Sequence, residues 1–340
     1  MQPFEFARPT TKEGAVKLLG SNWNDAEVLA GGTDLLDRTK DFVSSPKRVV
    51  SLHGIKDLQV VKMNATEGLS IGSMVTLIDL AENAQVRGAY PVLVDVAKDV
   101  GSPQIRNVGT VGGNLCQRPR CWFYRAGYGL LAQDKGKSLV PNGDNRYHAI
   151  LGNDGPAYFV SPSSMAVVLI ALGAKIKLLG PDGPREMPLD QFYVIPKSED
   201  DREHALKPNE IITEVMVPPT HGAKTGWYSV EQKEGLDWPL VQAAAVLHMS
   251  GKTVKSANIV LGHVAPTPWP SPEASEALAG KTVSEETADA AGKAAVSKAS
   301  PLSKNKYKVQ LARVAVKRAI MRAASGEREE DEERREHKEA

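Results

Sequence analysis

Cysteine is nearly missing from this chain: 340 residues hold two, Cys116 and Cys121, spaced C-x4-C within one polar segment. Two thiols cannot complete a four-ligand zinc or iron–sulfur site, and His148 is the only imidazole near them in sequence, so no metal site is expected. Long hydrophobic runs are absent as well. Nothing approaches the roughly 20 apolar residues that span a bilayer, and Met1-Gln2-Pro3-Phe4-Glu5-Phe6 has no basic region leading into a hydrophobic stretch. These absences predict no membrane association, no export signal and a cytoplasmic location. Excess charge is also lacking, because 42 Lys plus Arg face 41 Asp plus Glu. That balance provides no long-range field to steer nucleic acid. Neither G-x-G-x-x-G nor G-x-x-x-x-G-K-[ST] occurs, which argues against the Rossmann and P-loop folds. The seven His are scattered, and no triad or paired-carboxylate site emerges, so no residue is assigned a catalytic role.

What the chain does have is two Gly-Gly segments about eighty residues apart. The first is Leu29-Ala30-Gly31-Gly32-Thr33-Asp34-Leu35-Leu36 and the second is Arg106-Asn107-Val108-Gly109-Thr110-Val111-Gly112-Gly113-Asn114-Leu115. Each follows an extended or apolar run and lacks side chains where the backbone must bend. Backbone N–H groups can then converge on an anion such as a pyrophosphate. In the first segment a strand over 27–30 runs into the glycines and a helix starts at Asp34, which brings orphan N–H groups and a helix N-terminus to one point.

The organisation reads as α+β in three blocks and a tail. Residues 1–60 contain that strand, the helix and a second strand over 48–52, a βαβ-like unit. Residues 61–219 begin with a strand over 69–72 and a helix introduced by the capping box Thr76-Leu77-Ile78-Asp79. Another helix is predicted over 91–100. The stretch 117–156 is polar with little periodicity and predicts a long surface excursion; an apolar helix from Met165 and a strand over 174–179 follow. Residues 223–325 begin after Pro218-Pro219 and Gly222 with a hairpin about Ser250-Gly251-Lys252, then helices over 271–278, 284–298 and 306–324. Residues 326–340 are almost wholly charged and predict a solvated or frayed helical tail.

With the motifs in order, the chain resembles the FAD-binding medium subunit of the xanthine dehydrogenase and carbon monoxide dehydrogenase family of molybdenum hydroxylases. The resemblance is carried by the first Gly-Gly segment, by Ile71-Gly72-Ser73-Met74-Val75-Thr76-Leu77, and by Ser102-Pro103-Gln104-Ile105-Arg106-Asn107 with the second Gly-Gly segment. It continues through Lys207 to Val215, Val264 to Trp269 and Tyr307 to Ala312, and covers roughly residues 1 to 324. Within the family, Gln117 to Arg125 and Gly143 to Ile150 are most similar to aldehyde-oxidoreductase-type flavin subunits. Relatives of that type hold an extra four-iron cluster in this excursion. Cys121 matches its first cysteine, while the others fall near Leu130, Ser138 and Ala157, none of which supplies a thiolate.

The resemblance implies a two-subdomain, PCMH-type FAD-binding domain followed by an α+β C-terminal domain with a small antiparallel sheet and helices. FAD would lie between the first two subdomains. Its pyrophosphate would be wrapped by Leu29, Ala30, Gly31, Gly32, Thr33, Asp34, Leu35 and Leu36 and by Arg106, Thr110, Val111, Gly112, Gly113 and Asn114, with the Thr33 and Thr110 hydroxyls as added donors. Ile212 matches a position that packs on the flavin or adenine, or else belongs to the core. Tyr193 either shields the ring face or packs inside. Two positions depart from the family pattern: its Asp is Ser164 here, and its Lys is Val230, with Lys233 nearby. The implied role is electron relay. Substrate oxidation would occur on a large molybdenum-cofactor subunit, electrons would come from a small two-iron, two-sulfur subunit, and NAD or another carrier would accept them. The alternatives are a stand-alone FAD oxidase or reductase, and a scaffold subunit that has lost flavin.

Overall fold

A computed structural model describes residues 1–233 and 237–327. Beyond Glu327 the charged tail lies outside the described residues, and so does the expectation that it is a frayed helix.

Three larger sheets organise the described residues, beside a two-stranded ribbon of Gln133–Asp134 and Lys137–Ser138. In the first, Arg48–Ser51 lies between Glu5–Ala7 and Ala26–Leu29, and all three strands are parallel. Ala26–Leu29 leads into the first Gly-Gly pair, and the chain returns to the central strand through the helix Leu35–Lys40. This is the anticipated βαβ-like unit, with a third strand contributed by the N-terminus. Ala15, Val50, Leu52 and Ile55 form its core.

The second sheet is antiparallel, in the order Val61–Asn64, Gly68–Gly72, Ile211–Val217, Lys175–Gly180, Gly183–Pro188. Against it pack the helices Leu77–Glu82, Pro91–Asp99 and Ser164–Ala171, which share one core with Ile71, Ile176 and Val215. The Thr76 side chain accepts from the Asp79 N–H at 3.1 Å, so the predicted cap sets the start of its helix.

The third sheet pairs Lys224–Val230, Val241–Ser250, Thr253–Gly262 and Trp269–Pro270. Gly251, with φ at 60°, closes the long hairpin between its two central strands, as expected of a residue that enters the left-handed region without steric penalty. Helices Pro272–Leu278, Glu285–Ala295 and Tyr307–Ser325 supply small apolar residues such as Ala288, Ala315 and Ala319 to the core beneath it. The fold class is α+β, as the sequence pattern predicted.

One expectation is corrected. The stretch 117–156 is a surface excursion only in part: residues 126–128 and 134–137 are exposed, but Asn145 and Ile150 are 0% exposed, and Leu151 is 1% exposed. Its polarity serves internal bonds. Asn305 Nδ2 donates to the carbonyls of His148 and Ala149 at 3.1 and 3.2 Å, and the Lys304 N–H donates to Asn145 Oδ1 at 2.9 Å. The excursion is thereby fastened to the C-terminal unit.

Candidate functional site

A cavity of about 550 Å³ opens where the three units meet. The first Gly-Gly segment contributes Ala30, Gly31, Gly32, Thr33, Asp34 and Leu35, and the second contributes Thr110, Gly112, Gly113 and Asn114. Ser164 and Ile212 line it from the middle unit. Cys116, Gln117 and Arg120 enter from the start of the excursion, and Asp237, Trp238 and Pro239 from the C-terminal unit. Eighty residues of sequence separate the two Gly-Gly pairs, yet a Cβ on Gly113 would stand 3.5 Å from the Ala30 Cβ.

The glycines have a reason for being there that precedes any ligand. A Cβ on Gly31 would collide with the Val108 carbonyl, and one on Gly112 would lie 2.7 Å from Ser73 Cβ. Gly32 has φ at 79°. Only residues without side chains let the two segments and the Gly68–Gly72 strand end approach this closely.

The two segments differ in what they offer an anion. Among the described residues, no group accepts from the backbone N–H groups of Gly31, Gly32, Thr33, Asp34 or Leu35. The second segment is no bend: Val111–Cys116 is helical, with Thr110 as its N-cap. Its amides are already engaged. Val111 donates to Val75 O at 2.9 Å, Gly112 to Ser73 O at 2.8 Å, Gly113 to Thr110 Oγ1 at 3.1 Å and Asn114 to Thr110 O at 2.8 Å. The expectation that these four N–H groups face a phosphate is therefore corrected; they are bonded within the protein and build the wall.

Charge at the mouth is organised around Asp34. Its Oδ1 accepts from Arg125 Nη2 at 2.7 Å, and its Oδ2 from Arg38 Nε and from the Arg118 backbone N–H, both at 3.1 Å. Arg120 stands 3.3 Å from both Asp34 and Asp37. Burial raises the Asp34 carboxyl pKa, but Arg38, Arg120 and Arg125 together outweigh it and hold the group below its ordinary value. Glu210, also on the cavity wall, is paired with Arg185 at 2.7 Å. Of the carboxylates on the lining, Asp34, Asp37 and Glu210 are thus paired with arginines.

The remaining predicted positions lie outside the cavity lining. Leu29 ends the strand that carries the loop, and Leu36 is 41% exposed. Val111 belongs to the core. The Arg106 Nη1 donates to the Gly101 carbonyl. Tyr193 is buried and its hydroxyl donates to the Leu115 carbonyl at 3.0 Å, which places it among core residues. Lys233 is exposed. Ser164, which does line the cavity, accepts from Gln242 Nε2 at 3.0 Å, and Gln242 is 0% exposed. The sequence reading overlooked Arg120, Asp237 and Trp238; the polar, glycine-containing stretch 231–237 giving way to Trp238-Pro239 was the only local signal for the last two.

A second cavity, of about 180 Å³, adjoins the first and shares Arg120, Asp237, Trp238 and Pro239 with it. On its wall Cys121 Sγ lies 3.2 Å from His148 Nε2. Burial, and then Lys308, press the His148 pKa down to about 4. Lys308 itself is buried, its Nζ donating to the carbonyls of Tyr147, His148 and His263 at 3.2, 3.3 and 2.6 Å. Among the described residues no three His, Cys, Asp or Glu side chains come together as a metal site, and no helix is long and apolar enough to cross a membrane.

Comparison with known proteins bears on this geometry. The family described as the FAD binding domain in molybdopterin dehydrogenase matches residues 2–220, and the CO dehydrogenase flavoprotein C-terminal domain matches residues 227–323. The aldehyde oxidoreductase FAD-binding subunit PaoB of Escherichia coli (strain K12) is 33% identical over 79% of this chain and 84% of its own length. The carbon monoxide dehydrogenase medium chain of Hydrogenophaga pseudoflava is 30% identical over 93% of this chain and 96% of its own. A solved structure of carbon monoxide dehydrogenase from Hydrogenophaga pseudoflava, lacking the Mo-pyranopterin moiety, superimposes with a TM-score of 0.74 at 29% identity, over 96% of this chain and 99% of that one.

Proposed function

Because the chain belongs to the family of FAD-binding subunits of molybdenum-containing carbon monoxide, xanthine and aldehyde dehydrogenases, we propose that the 550 Å³ cavity holds FAD and that the protein relays electrons for such a complex. The observation that carries this reading is the run of five backbone N–H groups from Gly31 to Leu35 without an acceptor among the described residues. Five backbone donors without a protein acceptor, on one segment of a cavity of ligand size, suit the demands of a diphosphate.

In this reading Gly31, Gly32, Thr33, Asp34 and Leu35 bind the diphosphate through their amides, with the Thr33 hydroxyl as a further donor. Asp34 acts through its backbone, since its carboxylate is committed to arginines. Thr110, Gly112, Gly113 and Asn114 shape the opposite wall, and Ile212 and Ser164 line the remainder. Ala30 lines the cavity beside the loop. Leu29, Leu36, Val111 and Arg106 support the two segments, Tyr193 supports the second helix through Leu115, and Lys233 stands exposed just after the strand Lys224–Val230. Residues 1–60 and 61–219 act as the two halves of the cofactor domain, and 223–325 as the domain that closes it.

When bound, FAD can exchange electrons singly with one-electron centres and in pairs with a two-electron acceptor. The chain then needs no acid, base or nucleophile of its own; its residues bind, orient and exclude water. The partners implied are a large molybdenum-cofactor subunit and a small two-iron, two-sulfur subunit, with NAD or another carrier as acceptor, and the setting implied is cytoplasmic.

The test is partner dependence. The FAD-loaded chain is mixed with aldehyde, xanthine or carbon monoxide, alone and within the assembled complex, and flavin bleaching is followed at 450 nm (about the usual flavin band). Bleaching only in the complex supports a relay subunit; substrate-driven bleaching of the isolated chain overturns it in favour of a stand-alone oxidase.

A further inference from the structure

The smaller cavity, of about 180 Å³, holds chemistry that the cofactor reading leaves unused. Cys121 and His148 share its wall with Trp122, Tyr147, Phe159 and Lys308, and Cys121 Sγ lies 3.2 Å from His148 Nε2. A nucleophile within hydrogen-bond reach of a base is the arrangement on which covalent chemistry is built. His148 is 3% exposed, and its Nδ1 has no hydrogen-bond partner among the described residues. An imidazole that accepts at Nε2 carries its proton at Nδ1, so a buried N–H stands here without an acceptor. Leaving such a group unpaired is costly, and a carbonyl oxygen on a ligand would satisfy it.

Size, shape and charge narrow the ligand. An apolar cavity of about 150 Å³ is filled by benzene, so this one holds a molecule of about one ring. The Trp122 and Tyr147 rings lie 5.5 Å apart between centroids, with Phe159 on the same lining, and such walls favour a flat π system. Burial pushes the Cys121 thiol pKa up, while burial and Lys308 press that of His148 down to about 4, so both are neutral at pH 7. The Lys308 amine is spent on the carbonyls of Tyr147, His148 and His263. A displacement that expels an anion is disfavoured in such surroundings. An addition, in which the proton follows the electron pair, creates no net charge.

We propose that Cys121 and His148 form a covalent ligand site for a small, flat α,β-unsaturated carbonyl compound. The Cys121 S–H proton passes to His148 Nε2 as sulfur bonds to the β carbon and the C=C π pair moves onto the carbonyl. The same proton then returns to the α carbon, which leaves a neutral thioether and a neutral imidazole. Nothing is oxidised or reduced. The site stands whether or not the larger cavity holds FAD.

The full chain is incubated with cyclohexenone as wild type, Cys116→Ser, Cys121→Ser and His148→Gln. Adducts are counted and located by intact and peptide mass, and the thermal midpoint of each variant is recorded. One adduct per chain, on Cys121, is expected in the wild type and in Cys116→Ser, and none in Cys121→Ser. The rate should level off as cyclohexenone is raised, as reaction from a bound encounter requires. It should also stay flat between about pH 6 and 8, where an unassisted thiol accelerates about tenfold per unit. His148→Gln should slow the reaction about 100-fold, the low end of what a positioned base contributes, and restore the tenfold-per-unit slope. Should that variant fail to fold, the saturation and pH profile of the wild type still decide. A wild-type chain that takes no adduct or takes it on another residue, a rate linear in cyclohexenone throughout, or a tenfold-per-unit slope in the wild type overturns the proposal. So does a folded His148→Gln variant that reacts within about twofold of wild type.

Discussion

Asp34 Oδ1 lies 2.7 Å from Arg125 Nη2, although the two residues are 91 positions apart in the chain. The carboxylate that begins the helix after the first Gly-Gly pair is thereby the anchor of the excursion, and it also holds Arg38 and Arg120. The cofactor loop and the excursion form one electrostatic unit.

Asp34→Asn removes the negative charge from among three arginines while nearly preserving shape. It should destabilise the chain by about 2–3 kcal/mol, somewhat below the usual cost of breaking a fully buried pair, and should speed amide exchange around residues 118–126. The folded carboxyl sits below its ordinary pKa, so its contribution is present above about pH 4 and is lost as pH falls through the folded value. Urea melts of wild type and variant at pH 7, together with exchange of the excursion, check both points; a change under about 0.5 kcal/mol would contradict the anchoring role.

The glycines should separate by position. Gly31→Ala forces the Val108 carbonyl to move and is expected to cost about 2–4 kcal/mol, as overpacking against backbone does. Gly32→Ala, at φ 79°, should cost about 1–2 kcal/mol from left-handed strain. Gly113→Ala meets only Thr110 Oγ1 at 2.9 Å and the Ala30 methyl at 3.5 Å, and at this helical position the substitution gains about 1 kcal/mol in helix propensity, so it should be the mildest. Denaturant midpoints of the three apoproteins give the ranking; equal costs would mean that close approach is not what these glycines permit.

Acid sensitivity should trace to buried imidazoles. The His148 pKa is pressed to about 4 by burial and by Lys308, and that of His263 to about 3 by the same two causes. Between those values and 6.5 the unfolded chain binds protons that the folded chain refuses, so stability falls as pH drops through this window, by up to about 1.4 kcal/mol per unit for each group. His148→Gln should flatten the loss between pH 6.5 and 5 by about 1 kcal/mol. Urea melts across that range are the measurement, and an unchanged slope would show that His148 is not the group responsible.

Cys116 lines the cofactor cavity, and burial pushes its thiol up to about 12. In a Cys121→Ser background, alkylation of Cys116 should be slow at pH 8, accelerate about tenfold per pH unit below its pKa, and stop when FAD is bound. Protection by FAD is the decisive observation; alkylation at the same rate with and without FAD would place the cofactor elsewhere.

Much of the architecture was legible in local signals. Ser250-Gly251-Lys252 marked the long hairpin, Thr76 marked a helix start, and the strand running into Gly31 marked the parallel unit. The middle sheet was not legible as a whole, because Gly68–Gly72 pairs with Ile211–Val217 across an interval that contains the entire excursion. No local pattern announces such a partner. The excursion looked solvated because its polar side chains and backbone are satisfied internally by Asn305, Lys304 and Lys308, contributed from far along the chain. Both Gly-Gly pairs, read as one site, do line one cavity, but Gly112 and Gly113 proved helical, and their amides are consumed by Ser73 and Thr110. Trp238 escaped notice because only the folded chain assembles its stack on Arg120.

Flavin stoichiometry tests the central claim most directly. The apoprotein is titrated with FAD, unbound flavin is removed, and bound FAD is released and quantified against protein. The account predicts saturation at about one FAD per chain with tight binding, weakened when Gly32 is replaced by a bulky residue in a folded sample. A folded chain that takes up no FAD, or one whose uptake ignores that replacement, would contradict it.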